Sequence, residues 1–317
     1  VSGFGAHIKA TPKALVVQKH SNLEEIPLSR VRHLLVMGGH TLHTSAVTRL
    51  LGAGSCISFF EADGEPVGLL KPYGFHYDEI VREAQRRAYP HSIALALAKG
   101  SAHARIFSLV DLQENLGRPL FYESELEILE KSYAELEYLI RLEEIRRVHR
   151  LISDMYYEIL SRTVPPDLGF RRRTSRPHTD IVNTILSFGY GVLFGNTCVA
   201  AIGAHLDPDY GFLSRGKGGL VHDLSDPFKP AMVDIPLLSL VRGGISPEWY
   251  ECTETRCILS EEMAHTLMER LSETLRQEII DSHVLFLRDS LLKKTDFVVR
   301  LPEPVSLVGS DDGKLGK

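Results

Sequence analysis

The sequence predicts an α+β chain, a small N-terminal β domain followed by a larger all-α helical domain. Three observations carry this. Up to about Leu70 the apolar residues come in short strand-like runs, and from about Asp78 they recur at helical spacing. The 317 residues, 44% hydrophobic and 24% charged, suffice for two cores. The boundaries that follow are 1–74 for the β domain, 75–308 for the helical domain and 309–317 for a flexible tail.

Ala14–Val17, Leu34–Met37 and Ile57–Phe60 are the strand runs, separated by polar or glycine-containing segments. Asp63-Gly64 is a hairpin signal, because both residues tolerate the positive φ of a tight primed turn. A short helix interrupts the strands: Thr44 or Ser45 can cap it, Val47, Leu50 and Leu51 form its apolar face, and Gly52 ends it. Further on, Leu126, Leu129, Tyr133, Leu136, Ile140, Ile145, Val148, Ile152 and Met155 recur three to five residues apart in a Glu- and Arg-rich background, the pattern of amphipathic helices. The segment Ile181 to Leu206 is apolar on all sides and interrupted by glycines, which predicts a buried helix pair. Ser260, followed by Glu261 and Glu262, predicts the start of a last long helix.

A net charge of -5 gives no global attraction to nucleic acid or anionic lipid, so any such binding has to come from local basic clusters. Cys56, Cys198, Cys252 and Cys257 contain no C-x-x-C pair, which argues against a zinc finger or disulfide scaffold and suits a reducing compartment. Cys252 and Cys257 are close enough in sequence to approach one another, with two core thiols the favoured reading. No unbroken run of 18 apolar residues occurs, so no membrane span is expected, and a cytoplasmic location is.

Two segments carry candidate chemistry. RRRTSRPHTDIVN, residues 171–183, sets Arg171, Arg172, Arg173 and Arg176 before a helix that Asp180 can open. Guanidinium forks bind phosphate through paired hydrogen bonds, although alone the segment fits a solvated loop equally well. Arg215 and Lys217, in the glycine-rich turn of GFLSRGKGGLVHDLSDPF, residues 211–228, would complete a nucleic-acid groove if the two loops meet. Asp223 and Asp226, three apart, share a face if their segment is helical, and two close carboxylates call for a cation between them. Alone they are better read as an N-cap and a surface acid, with Pro227 ending the segment. His149, His178, His205 and His222 lie nearby, and each is more often a packed or exposed histidine than a ligand.

In order and spacing, VSGFG at the start, HTSAVTRLLGAGSCISFFEADGEPVG, FRRRTSRPHTDIVNTILSFGYGVL and HLDPDYGFLSRGKGGLVHDLSDPFKPAMVD resemble the CRISPR-associated integrase of the spacer-acquisition complex, the Cas-one family. The resemblance spans nearly the whole length. It implies a homodimer formed through the β domains, a small Cas-two partner, and insertion of short DNA fragments into a repeat array. The implied chemistry is divalent-metal-dependent endonuclease and strand transfer on branched or double-stranded DNA, with Mg²⁺ or Mn²⁺ held by a Glu, a His and an Asp or Glu.

Carried over residue by residue, that ligand set is altered here. The acid is present as Asp226, with Asp223 as its neighbour, but the histidine position holds Ser214 and the glutamate position, seven before Tyr156-Tyr157, holds His149. A hydroxyl is a weak ligand and imidazole removes a negative charge, so weak or lost metal binding is expected. Three alternatives stay open: a rearranged set of His149, Asp223 and Asp226 that suits Mn²⁺, a slip of one helical turn that brings in Glu144, or His222 swinging in. If the chemistry is lost, the implied role is that of a DNA-binding structural subunit.

Overall fold

The computed structural model describes residues 1, 5–19, 22–61 and 66–301. The chain opens with β1 (His7–Ala10), β2 (Ala14–Lys19), β3 (Asn22–Pro27), β4 (His33–Met37), β5 (Thr41–Leu42), α1 (Thr44–Gly52), β6 (Cys56–Phe60) and β7 (Pro66–Leu70). These make two sheets, ordered β3-β2-β1-β5 and β4-β6-β7. β1, β2 and β3 pair antiparallel, whereas β4 runs parallel to β6, which requires a crossover that α1 supplies. β6 and β7 pair antiparallel; the Asp63-Gly64 turn expected between them lies outside the described residues, as do most of the VSGFG opening and the predicted tail 309–317. Ile8, Leu15, Val17, Leu34, Val36, Leu50 and Ile57 form the core of this region.

The predicted cap of α1 is corrected. His43 holds that position, its Nδ1 accepting from Ser45 N at 3.1 Å, while the Ser45 hydroxyl accepts from Ala10 N at 3.2 Å and ties the helix to β1.

The second region comprises α2 (Glu79–Arg87), α3 (Pro90–Leu116), α4 (Glu125–Glu135), α5 (Leu142–Ser161), α6 (Ile181–Gly203), α7 (Gly219–Ser225), α8 (Ile235–Arg242), β8 (Tyr250–Cys252), β9 (Cys257–Leu259), α9 (Glu261–Thr274) and α10 (Gln277–Lys293). Asp78 opens α2 by accepting from Ile80 N at 2.9 Å. The periodic apolar residues of α4 and α5 are turned inward, except Ile140, which sits in the connection between them and is exposed.

Four further expectations change here. Residues 181–203 form one helix, not a pair, because the glycines serve close packing and do not break it. A Cβ on Gly189 would meet Val233 Cγ1 at 2.5 Å, and one on Gly195 would meet Leu35 of β4 at 3.1 Å and Phe60 of β6 at 3.3 Å. The region is not purely helical either: β8 and β9 form a hairpin whose register sets Cys252 opposite Cys257, and the two are joined as a disulfide in place of the expected thiols. Finally, Ser260 caps α9 as expected, accepting from Met263 N at 3.1 Å, but that helix stops at Thr274 and a separate α10 follows.

α3 and α6 are long and apolar enough to cross a membrane by length and composition; α6 is mostly buried inside the molecule as a core helix.

A cation-lined cleft as the candidate functional site

α3, α5 and the segment after α7 converge on Asp226. On α3 the buried face runs through Leu97, Ser101, Arg105 and Leu109, four residues apart, so Ser101 and Arg105 project to one place. On α5 the residues Arg146, His149, Arg150, Ser153 and Tyr157 follow the helical repeat and line one cleft of about 660 Å³. Asp226 opens the short 3₁₀ turn Asp226–Phe228, and Lys229 follows it.

Both carboxylate oxygens of Asp226 are engaged. Arg105, 2% exposed, grips it through two parallel bonds, Nη1 to Oδ2 and Nη2 to Oδ1, each 2.9 Å. Lys229 Nζ donates to Oδ1 at 2.8 Å, and the Ser101 hydroxyl donates to Oδ2. His149 Nε2 lies 3.0 Å from Oδ2 and must be the donor there, since an ionised carboxylate only accepts. Burial is the largest influence and opposes the ionisation of Asp226, but the charges of Arg105 and Lys229 and the His149 hydrogen bond together outweigh it, and the carboxyl is held well below the usual range.

Beneath the cleft lies a second buried acid. Asp234 accepts from Tyr156 Oη at 3.0 Å and from Tyr190 Oη, which is also 2.7 Å from Tyr157 Oη. Burial pushes the Asp234 carboxyl up and both tyrosines well above their usual range. The Tyr190 ring carries Lys229 Nζ at 5.0 Å and the Arg173 guanidinium at 5.2 Å from its centroid, which fixes two cations at the cleft floor.

The donor set does not fit a divalent ion. A carboxylate has about four lone-pair sites, and five donors already approach those of Asp226. Three of the five come from two fixed cations, Arg105 and Lys229, which repel a metal. Asp223 does not supply the missing oxygen: it turns away, Oδ2 accepting from Phe212 N at 2.7 Å and Leu213 N at 2.9 Å, and Oδ1 from Ser214 N at 2.7 Å. Burial pushes its carboxyl up against the pull of these donors and the Ser214 hydroxyl. Among the described residues no group of three or more His, Cys, Asp or Glu side chains could hold a metal ion. Of the expected set of His149, Asp223 and Asp226, the structure brings His149 and Asp226 together, while Asp223 holds the 212–214 turn.

The two alternative ligands are also placed elsewhere. Glu144 accepts from Arg141 N at 3.3 Å at the start of α5. His222 packs on the Phe194 ring with centroids 4.8 Å apart, and burial pushes it down to about 4, so it stays neutral. His178 is buried between Thr174 Oγ1 and Ser187 Oγ, and His205 Nδ1 accepts from Asp78 N at 3.3 Å.

The basic loops meet in part. Arg173 and Arg215 line the same cleft, as does Ser214. Arg176 lines a different cavity beside β9, and Lys217 another between the β region and α6, donating to Pro66 O. Arg171 and Arg172 are exposed. Arg173 is not a free loop residue: it donates to Asn183 Oδ1 at 2.6 Å and Ser187 Oγ at 2.8 Å, and Asp180 caps α6 through Asn183 N at 2.7 Å.

Arg105, Arg146, Arg150 and Lys229 are the residues that sequence reasoning missed. The signals were present: a single arginine between Ala104 and Ile106 in an otherwise apolar helix face, a basic pair flanking His149 at helical spacing, and a lysine three after Asp226.

A small β region joined to a helical domain with an arginine-lined cleft defines a class, the α+β proteins. Comparison with known proteins narrows it. The family model for the CRISPR associated protein Cas1 matches residues 1–273, and this chain belongs to that family. It is 40% identical over 303 residues to a Cas1 protein from Methanospirillum hungatei, covering 95% of this chain and 100% of the relative. Among solved structures it is similar to a casposase bound to an integration product, with a TM-score of 0.81 and 19% identity over 95% of this chain and 93% of the other. It is similar also to the Cas6-RT-Cas1–Cas2 complex, with a TM-score of 0.80 and 18% identity over 95% of this chain and 36% of the other. At these identities the two structures bear on the fold alone.

Proposed function

We propose that this chain is a DNA-binding subunit of the CRISPR adaptation machinery, which takes part in inserting DNA fragments into a repeat array, and that its own cleft holds DNA without metal-dependent cutting. The expected setting is the cytoplasm, with a Cas2 protein and a second copy of this chain as partners, the copies joined through the N-terminal β region 1–74. Family membership, the fold shared with a casposase seen on an integration product and the fold shared with a Cas1–Cas2 assembly support the role. Cas1 chemistry in general depends on a metal. The observation that carries the departure is the saturation of Asp226 by Arg105, Lys229, His149 and Ser101.

A second reading keeps one supporting fact: His149, Asp226 and Ser214 do line a single cleft, so a nitrogen and an oxygen ligand for Mn²⁺ stand side by side. Titration with Mn²⁺, followed by incubation with branched or nicked DNA, separates the two. We expect no saturable Mn²⁺ binding and no cleavage or strand transfer, with DNA still bound. Turnover that vanishes in Asp226→Ala would establish the metal enzyme instead.

A further inference from the structure

We propose that the cleft around Asp226 is a phosphate clamp. In it the Arg105 guanidinium and the Lys229 ammonium take over the charge role of a divalent ion, and a phosphate group of a DNA strand is bound directly by protein cations. This rests on the DNA-binding reading above and assigns the group that occupies the cleft.

The first argument is charge. Six cationic side chains, Arg105, Arg146, Arg150, Arg173, Arg215 and Lys229, line the cleft against a single lining carboxylate, Asp226. Glu143 at the rim answers only part of this, pairing with Arg146 at 2.9 Å and Arg215 at 2.7 Å. Such a concentration of like charge in a chain of net charge -5 is costly unless an anion enters.

The second argument is donor capacity. The Arg150 side chain makes no hydrogen bond or ion pair among the described residues, and five N–H donors of a guanidinium suit phosphate oxygens. Lys229 spends one of its three donors on Asp226. Arg105 does not reach out itself. It sits beneath, its charge matched to Asp226, and so keeps the acid from repelling the incoming anion.

The third argument is rigidity. Arg173 is fixed by Asn183 and Ser187, Arg146 Nε donates to Leu213 O at 2.6 Å, and the Tyr190 face orients Arg173 and Lys229. Preset donors lose less conformational entropy when the ligand arrives. The volume, about 660 Å³, falls within the range of about 300–1,000 Å³ usual for small-ligand sites and admits a nucleotide unit.

The test is equilibrium binding of labelled duplex DNA to the full chain in EDTA, with 5′-phosphate, 3′-phosphate or hydroxyl ends, for the native sequence, Arg150→Ala and Arg215→Ala. Arg150 is exposed, so its truncation leaves the fold intact, which the unfolding midpoint checks. We expect binding to persist in EDTA and each substitution to weaken it by roughly tenfold, the scale of one charge-assisted contact. The slope of log K against log salt should fall by about one phosphate contact for each substitution. Dependence on a phosphorylated end identifies a terminal monoester as the occupant; indifference to the end, with the slope still reduced, identifies an internal diester. Native-like DNA affinity and salt slope in both variants would overturn the clamp while leaving DNA binding in place. Binding that needs Mn²⁺ and is lost in EDTA would overturn it by restoring the metal. Absence of DNA binding in every form would instead remove the reading beneath it.

Discussion

Asp226 is the buried acid on which the cleft is built, and Arg105, Lys229, His149 and Ser101 all bond to it. Its ionisation is favoured in the fold, so at low pH the unfolded chain binds the extra proton first. The sign follows from that: the contribution of Asp226 is complete above about pH 5, where the unfolded group is ionised, and is lost as pH falls through the depressed folded value. Asp226→Asn should therefore flatten the acid limb of stability against pH, measured by denaturant unfolding at several pH values. Breaking the pair from the other side is harsher. Arg105→Met leaves a buried carboxylate without its main partner and should cost about 3–5 kcal/mol, whereas Arg105→Met with Asp226→Asn should recover most of it, since the penalty lies in the unmatched charge. The cleft residues on α5 were legible in principle, since Arg146, His149 and Arg150 share one helical face. Their significance was not, because periodicity gives a face and not what the face meets.

At the scale of elements, α6 shows why composition misled. Its glycines read as breaks, yet the helix runs unbroken and uses them where neighbours come close. Two substitutions on the same helix should differ in sign. Gly189→Ala drives a methyl to 2.5 Å from Val233 Cγ1 and 2.8 Å from Leu237 Cδ1, both fully buried. Overpacking of this kind costs about 1–3 kcal/mol, more than the roughly 1 kcal/mol that alanine gains in helix propensity. Gly203→Ala meets nothing within 4 Å and should be neutral or stabilise by up to about 1 kcal/mol. Thermal unfolding of both variants reads the difference. The β8–β9 hairpin was hidden for a related reason: three-residue strands leave too short an alternation to detect, and only their register sets Cys252 beside Cys257.

For the whole molecule, the expected assembly is a dimer through the β region. There β3 is an outer strand with most of its residues exposed, a row of backbone donors and acceptors open to pairing. Sedimentation of the full chain should give twice the monomer mass, and Leu23→Lys, on the exposed part of β3, should lower it if that edge is the contact. The α6 contact with Leu35 and Phe60 shows the two regions packed together, so a β-region dimer would fix the spacing of the two clefts.

The sequence by itself determined the α+β class, the change from strand to helix near residue 75, the caps at Asp180 and Ser260, and the family. Each depends on local patterns, the alternation of apolar residues or the order of short motifs, and these are written along the chain. The tertiary structure alone decided that Asp226 belongs to Arg105, 121 residues earlier, that Asp223 serves the 212–214 backbone, and that Arg173 and Arg215 share a cleft while Arg176 and Lys217 do not. The physical reason is that ion pairing depends on distance in space, and distant segments meet only when the core packs.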